Sequence, residues 1–289
     1  MIESADVSRN ALWESLRAAV RARDVAALDE LARDGATRPW IDLYRPVAAA
    51  PRGVPFVVGH LGQSVDGFIA TEVGDSNFVT GEENIRHLHR LRALCDAVVV
   101  GAGTVAHDDP RLTTRLVTGA SPLRIVIDPR RRLPATHRIF TDGEARTLRV
   151  SCAPLEHGFG TALDRQHHEE LLVTATPDGG LDLRALLRAL GARGCDRLFV
   201  EGGGETVSSF LSAGLLDRLH LAVAPLIIGS GRPAIRLAGH ERLGDCLRPP
   251  ASIYRMGRDL LYDFDLRCTP GGGGAIDSGI DVAELVRIL

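Results

Sequence analysis

The sequence predicts an α/β fold with a mixed, mostly parallel sheet flanked by helices, and three observations carry that expectation. Between about residues 55 and 268, short runs of Val, Ile and Leu alternate with amphipathic helical stretches. The apolar runs lack polar–apolar alternation, as strands buried on both faces do. Near the end, Ser252–Arg255 and Leu260–Arg267 flank Met256-Gly257-Arg258-Asp259, the pattern of an antiparallel hairpin.

Residues 1–50 read as a small helical extension. Leu12, Leu16, Ala19 and Val20, then Val25, Leu28 and Leu31, recur at three- and four-residue steps, and Gly35 is a stop signal. A helical hairpin is therefore expected, followed by a proline-punctuated connector, Arg45–Pro55, with a cap or a dimer contact as its role. The main domain is expected over residues 51–268. Its strand candidates are Phe56–Leu61, Phe68–Thr71, Ala97–Val100, Leu123–Asp128, Thr147–Cys152, Glu170–Val173, Arg197–Val200 and Arg218–Ala224. Its helix candidates are Glu82–Leu94, Leu181–Ala192 and Glu205–Ala213. Residues 269–289 form a tail. Gly271–Gly274 makes a flexible joint, and Val282, Leu285, Val286 and Leu289 fall on one helical face.

Composition removes several functions. The 34 Lys+Arg are all arginine, against 37 Asp+Glu and a net charge of −3. Without lysine, neither a Walker-type phosphate loop nor Schiff-base chemistry can be run. The acidic balance, with no basic block, argues against sequence-independent nucleic-acid binding. The five cysteines are scattered, with no close pair, which fits a reducing compartment. The opening residues lack a signal-peptide pattern, and no apolar run approaches a membrane span, so a cytoplasmic protein is expected.

Two glycine clusters stand at strand ends. Val100-Gly101-Ala102-Gly103-Thr104 resembles a dinucleotide-binding turn without its third glycine, and His107-Asp108-Asp109-Pro110 breaks any helix that follows. Val200-Glu201-Gly202-Gly203-Gly204 runs from strand to helix. It is either a phosphate cradle at a helix N-terminus or a tight turn alone. Asp66-Gly67 reads as a tight hairpin turn. His87 and His89, two apart on a helix, cannot face one metal, and no metal site is supported. Arg92 and Arg115 are either solvated charges or a pair converging on a phosphomonoester. Arg130-Arg131-Arg132 is either solvated or meets a nucleotide phosphate.

In order and spacing, these blocks together resemble the pyrimidine reductase family of riboflavin biosynthesis. They include Gly62-Gln63-Ser64-Val65-Asp66-Gly67, Ser76-Asn77-Phe78-Val79-Thr80, Asp108-Asp109-Pro110-Arg111-Leu112-Thr113 and Ala224-Pro225-Leu226-Ile227-Ile228-Gly229. That family is the C-terminal half of the bifunctional deaminase–reductase. The resemblance implies a dihydrofolate-reductase-like fold, a homodimer, and NADPH-dependent reduction of a phosphorylated ribosylamino-pyrimidine to its ribitylamino product. It implies NADPH contacts at Gly62, Phe78, Thr104, Asp108, Pro129 and the turn Gly203, Gly204, Glu205, Thr206, Val207, Ser208 and Ser209. It implies substrate contacts at Ser76, Arg92, Leu112, Arg115 and Glu201, with the arginines on the 5′-phosphate. Glu201 and His60 are the candidate proton donors, with water a third. Many relatives carry lysine where His60 stands and tryptophan where Phe78 stands. The alternatives are a reductase of another pyrimidine or pteridine-like heterocycle and a non-catalytic nucleotide-binding protein.

Overall fold

The computed structural model describes residues 2–77, 79–153, 160–163, 169–177, 179–267 and 286–288. Three helices come first: α1 (Ile2–Ala22), α2 (Val25–Leu31) and α3 (Arg38–Ala48). The expected hairpin is thus a three-helix unit, and the first part of the expected connector is helix. Pro39 lies in the first turn of α3, where its missing amide costs no bond, and Pro46 lies near its end. Burial of Trp40, Ile41, Leu43, Tyr44 and Val47 along one face outweighs the proline signal. The Asp24 carboxylate caps α2 by accepting from the Ala27 amide.

Strand β1 (Phe56–Ser64), β2 (Phe68–Thr71), α4 (Glu82–Leu94), β3 (Ala97–Gly101), α5 (Ala102–Asp108) and β4 (Leu123–Ile127) follow. Then come α6 (Arg138–Thr141), β5 (Thr147–Ala153), β6 (Gly160–Leu163), β7 (Glu169–Thr174), α7 (Leu183–Gly191), β8 (Arg197–Glu201) and α8 (Gly204–Ser212). The chain closes with β9 (Arg218–Ala224), β10 (Gly231–Pro233), β11 (Ala251–Met256), β12 (Asp259–Asp265) and β13 (Val286–Ile288). Eleven strands form one sheet in the order β13-β11-β12-β9-β1-β8-β3-β4-β5-β7-β6. From β9 to β7 every pairing is parallel, whereas β12 joins β9, β11 joins β12, and β6 joins β7 antiparallel. The predicted mixed, mostly parallel sheet is present.

Each face of the sheet carries its own apolar layer. One holds Leu16, Leu28 and Tyr44 of the N-terminal helices with Leu91 of α4 and Val58, Val98 and Val126 of the sheet. The other holds Leu186 and Leu190 of α7, Val207 and Phe210 of α8, and the alternate strand residues Val57, Val99 and Val200. The period-two reversal of side chains along β1, β3 and β8 feeds both layers.

Three expectations are corrected. Asp66-Gly67 does form a turn, with the Gly67 amide donating to the Ser64 carbonyl. Its arms do not pair, however, because β2 pairs with β10. Asp66 instead accepts from the amides of Ile228 and Gly229. The residues after Gly101 do form a helix, α5, which stops at left-handed Asp109 (φ 38°), just before Pro110. Finally, Val286–Ile288 of the tail is strand, paired in parallel with β11, so the helical face expected there is absent over those residues. A three-residue match to an open sheet edge satisfies backbone groups that a short amphipathic helix would leave in water. The Gly271–Gly274 joint and the rest of the tail lie outside the described residues.

Candidate active site

The C-terminal ends of β1, β3, β4 and β8 open onto a cleft of about 910 Å³. The crevice outside the carboxyl ends of parallel strands is where open α/β sheets bind ligands. Its floor is the two glycine turns. Gly202 has φ 100°, a conformation open to glycine, and sends β8 into α8. A side chain at Gly101 would meet Thr206 Oγ1 at 2.3 Å, and one at Gly204 would meet the Ala234 carbonyl oxygen at 2.2 Å. Gly204 therefore lets backbone pack on backbone, and Gly101 makes room for the Thr206 side chain. At Gly103 an added side chain would meet nothing, so this position presents bare backbone to the cleft. Thr104 joins the turns by accepting the Gly203 amide at 2.9 Å. No side chain caps α8, so its first amides and positive dipole end suit a phosphate. The residues present therefore fit a dinucleotide cofactor.

Of the residues expected at the cofactor, Gly62, Thr104, Asp108, Pro129, Gly203, Gly204, Glu205, Thr206 and Ser209 line this cleft. Val207 and Ser208 do not. They face inward on α8, Val207 in the apolar layer and Ser208 accepting the Arg236 amide at 2.8 Å. A run of seven consecutive residues cannot all face one ligand once it becomes helix. Phe78 lies outside the described residues. Gly103 of the first glycine turn lines the cleft too, and sequence reasoning missed Arg232 and Arg236, which also line it. Arg132 lines it too, and the fold explains why it alone of the three arginines does. Both oxygens of buried Asp128 accept amides, from Arg132 and Leu133, which fixes the turn after β4. Arg131 is drawn to Glu170 at 2.6 Å, and Arg132 is left at the cleft wall.

Of the substrate candidates, Ser76 is at the cleft. The others gather on the α4 side of the sheet. Arg92, expected among solvated charges if not at a phosphate, is 6% exposed and spends two nitrogens of its fork on Glu201. Its third nitrogen donates to the Thr113 carbonyl at 3.1 Å. Leu112, buried with φ 53°, turns the chain so that this carbonyl points at α4. The exposed side chain of Arg115 donates to Thr113 Oγ1 at 3.0 Å, and its amide donates to His89 Nδ1 at 2.9 Å. Burial, then the charges of Arg92 and Arg115, hold the His89 imidazole down at about 4.

Strand register explains what surrounds His60. His60 stands opposite Glu201 on β8 and opposite His220 on β9, and His220 stands opposite Asp263 on β12. Glu201, His60, His220 and Asp263 thus form one polar row across four strands, all buried. Helix α4 lies along it. Arg92 pairs with Glu201, Asn84 Oδ1 meets His60 Nε2 at 2.9 Å, and His87 Nε2 meets His220 Nδ1 at 3.0 Å. Burial holds the His60 ring neutral, at about 4, despite its bond to Asn84. At neutral pH its one proton sits on Nε2 toward Asn84. Asn84, His87 and His220 carry no pattern legible in sequence, because only register aligns residues so far apart in the chain.

The sequence matches the RibD C-terminal domain over residues 55–262. The chain belongs to this family. A 2,5-diamino-6-ribosylamino-4(3H)-pyrimidinone 5′-phosphate reductase of Methanothermobacter thermautotrophicus is 35% identical over 221 residues, 74% of this chain and 99% of that protein. The riboflavin biosynthesis protein RibD of Mycobacterium tuberculosis is 32% identical over 87% of this chain, which spans 62% of that longer relative. Among solved structures, Acinetobacter baumannii RibD superposes with a TM-score of 0.64 at 25% identity, over 79% of this chain and 63% of that one. The Saccharomyces riboflavin biosynthesis reductase Rib7 shares the fold, with a TM-score of 0.62 at 19% identity, over 78% of this chain and 97% of that one. The fold class expected from the resemblance is the one observed.

Proposed function

We propose that this chain is an NADPH-dependent oxidoreductase of riboflavin biosynthesis. In this reading it reduces 5-amino-6-(5-phosphoribosylamino)uracil, or its 2,5-diaminopyrimidinone counterpart, at the ribosyl C1′ to give the ribitylamino product. One observation carries the proposal. Glu201, the buried acid paired with Arg92, is followed at once in the chain by the glycine cradle, Gly202 to Gly204. A pyrimidine held by Glu201 therefore lies beside whatever the cradle holds, and that proximity is the main service a hydride-transfer site renders.

When bound, the nicotinamide supplies the hydride. The α8 N-terminus and the bare backbone of Gly103 would hold its diphosphate, and Arg132, beside Pro129, would meet a phosphate of its adenosine half. Arg92 orients the Glu201 carboxylate to accept pyrimidine N–H groups. Because the fork of Arg92 is spent there, the 5′-phosphate falls to Arg115. The proton that accompanies the hydride comes from water, since His60 is committed to Asn84 and both oxygens of Glu201 accept from Arg92. The protein works in the cytoplasm as a homodimer, a reading supported by free buried Cys95 and Cys195 and by exposed Ile227 and Leu243.

Loss of NADPH absorbance on adding either pyrimidine tests the reaction. Turnover of neither, with NADPH still bound, defeats it. Buried His60, at a position where the family resemblance implies lysine in many relatives, favours, as the second reading, a reductase of a related heterocycle. Failure of the gene to restore growth to a riboflavin-requiring host would favour that reading. For the cofactor, Arg132→Ala is expected to lower kcat/KM with NADPH about tenfold and leave NADH unchanged, through loss of a charge-assisted phosphate contact.

A further inference from the structure

The N-terminal helices lie outside the segment matched to the family, yet one of their side chains reaches the polar row beneath the substrate residues. Tyr44 of α3 is fully buried, and its hydroxyl lies 2.8 Å from His87 Nδ1. From there the chain of contacts runs through His87 Nε2 to His220 Nδ1 at 3.0 Å and from His220 Nε2 to Asp263 at 3.2 Å. Arg218 grips Asp263 with Nε at 2.9 Å. Every group in this chain is buried.

Donor and acceptor roles follow from the end that has no choice. Burial opposes ionisation of Asp263, but His220 and Arg218 outweigh it and hold the carboxyl below its usual range. An ionised carboxylate only accepts, so His220 donates through Nε2. Where His220 Nδ1 accepts, His87 Nε2 is the donor and His87 Nδ1 the acceptor. Only an O–H can complete that order, and Tyr44 supplies it. Phenylalanine at 44 would fill the same space and leave His87 free to take either tautomer. His87 sits on α4 between Asn84, which holds His60, and Arg92, which holds Glu201.

We propose that Tyr44 is a positioning residue for the substrate site, fixing through His87 the proton order of the buried row and with it the seat of α4 that presents Arg92 to Glu201. Its functional consequence rests on the reductase reading above. The N-terminal unit is then part of the machinery that shapes the pyrimidine site, whereas the glycine turns of the cofactor cleft stand on β3 and β8, and α4 lends that cleft Ile85.

The full-length Tyr44→Phe variant tests this, with Leu28→Val, a packing change inside the same helical unit, as the stability control. The expected result is a KM for the pyrimidine raised about fivefold, with kcat and NADPH affinity within about twofold of wild type, and Leu28→Val without effect on KM. Nitrogen-15 NMR of the imidazoles is expected to show His87 as a single Nε2–H tautomer in the wild type and as a mixture in Tyr44→Phe. An unchanged KM in the folded variant, or an equal KM change in Leu28→Val, overturns the positioning role. If the wild type reduces neither pyrimidine, the reductase reading fails on its own. The tautomers then decide, and a His87 ring unaltered by Tyr44→Phe overturns the proposal.

Discussion

Arg92 and Glu201 illustrate how a residue changes meaning once its partner is known. Alone, an arginine on an exposed-looking helix position is a solvated charge. Buried and bidentate, it is the orienter of an acid, and the acid's charge is what makes its own burial tolerable. Glu201→Gln keeps the shape but leaves the guanidinium facing a neutral amide. Pyrimidine kcat/KM is expected to fall by about 100-fold or more, with NADPH affinity within about twofold. Steady-state kinetics beside NADPH calorimetry checks this. An equal loss of both would place Glu201 at the cofactor instead. His60 shows the same dependence on context. Its place on a strand was legible, but its neutral state follows from burial, which outweighs the opposing bond to Asn84, 24 residues away in the chain.

At the scale of elements, strands and helices of the main domain were largely legible, since their apolar runs are local signals. The elements that escaped were governed by partners. Helix α3 forms against two prolines because its apolar face meets Trp13 and the sheet layer. Strand β13 forms because β11 offers an edge. The glycine turns give a paired prediction. Gly204→Ala pushes a methyl into the Ala234 carbonyl and is expected to destabilise by about 2 kcal/mol or more, as overpacking does. Gly103→Ala has open space, so its stability is expected within about 0.5 kcal/mol of wild type while NADPH affinity drops several-fold. Denaturant melts and cofactor titration separate the two. Normal NADPH binding by Gly103→Ala would move the cofactor off this turn.

For the molecule as a whole, the buried histidines set a pH dependence. Burial holds His60 and His89 at about 4, and it holds His87 well below the ordinary histidine value, with His220, His60 and Arg90 adding to the effect. The unfolded chain therefore takes protons that the folded one refuses. Stability is fully present above about pH 6.5 and is lost as pH falls toward about 4, by up to roughly 1.4 kcal/mol per pH unit for each histidine. Asp217 and Asp259, whose carboxyls burial pushes up, act in the opposite sense from lower pH. Thermal melts between about pH 7.5 and 5 are thus expected to show a falling Tm. A flat Tm over that window would mean these rings are solvated.

By itself the sequence determined the alternation of strand and helix, the glycine turns at two strand ends, and an all-arginine charge set unable to run lysine chemistry. Each is written in neighbouring residues, because hydrophobic period, turn geometry and side-chain type are local properties. The tertiary structure alone decided that Glu201, His60, His220 and Asp263 share a row, that α4 lies over it, and that Tyr44 closes it from outside the family domain. Those contacts join residues scattered from position 44 to position 263. Strand register and helix packing bring them together, and no local property of the chain encodes either.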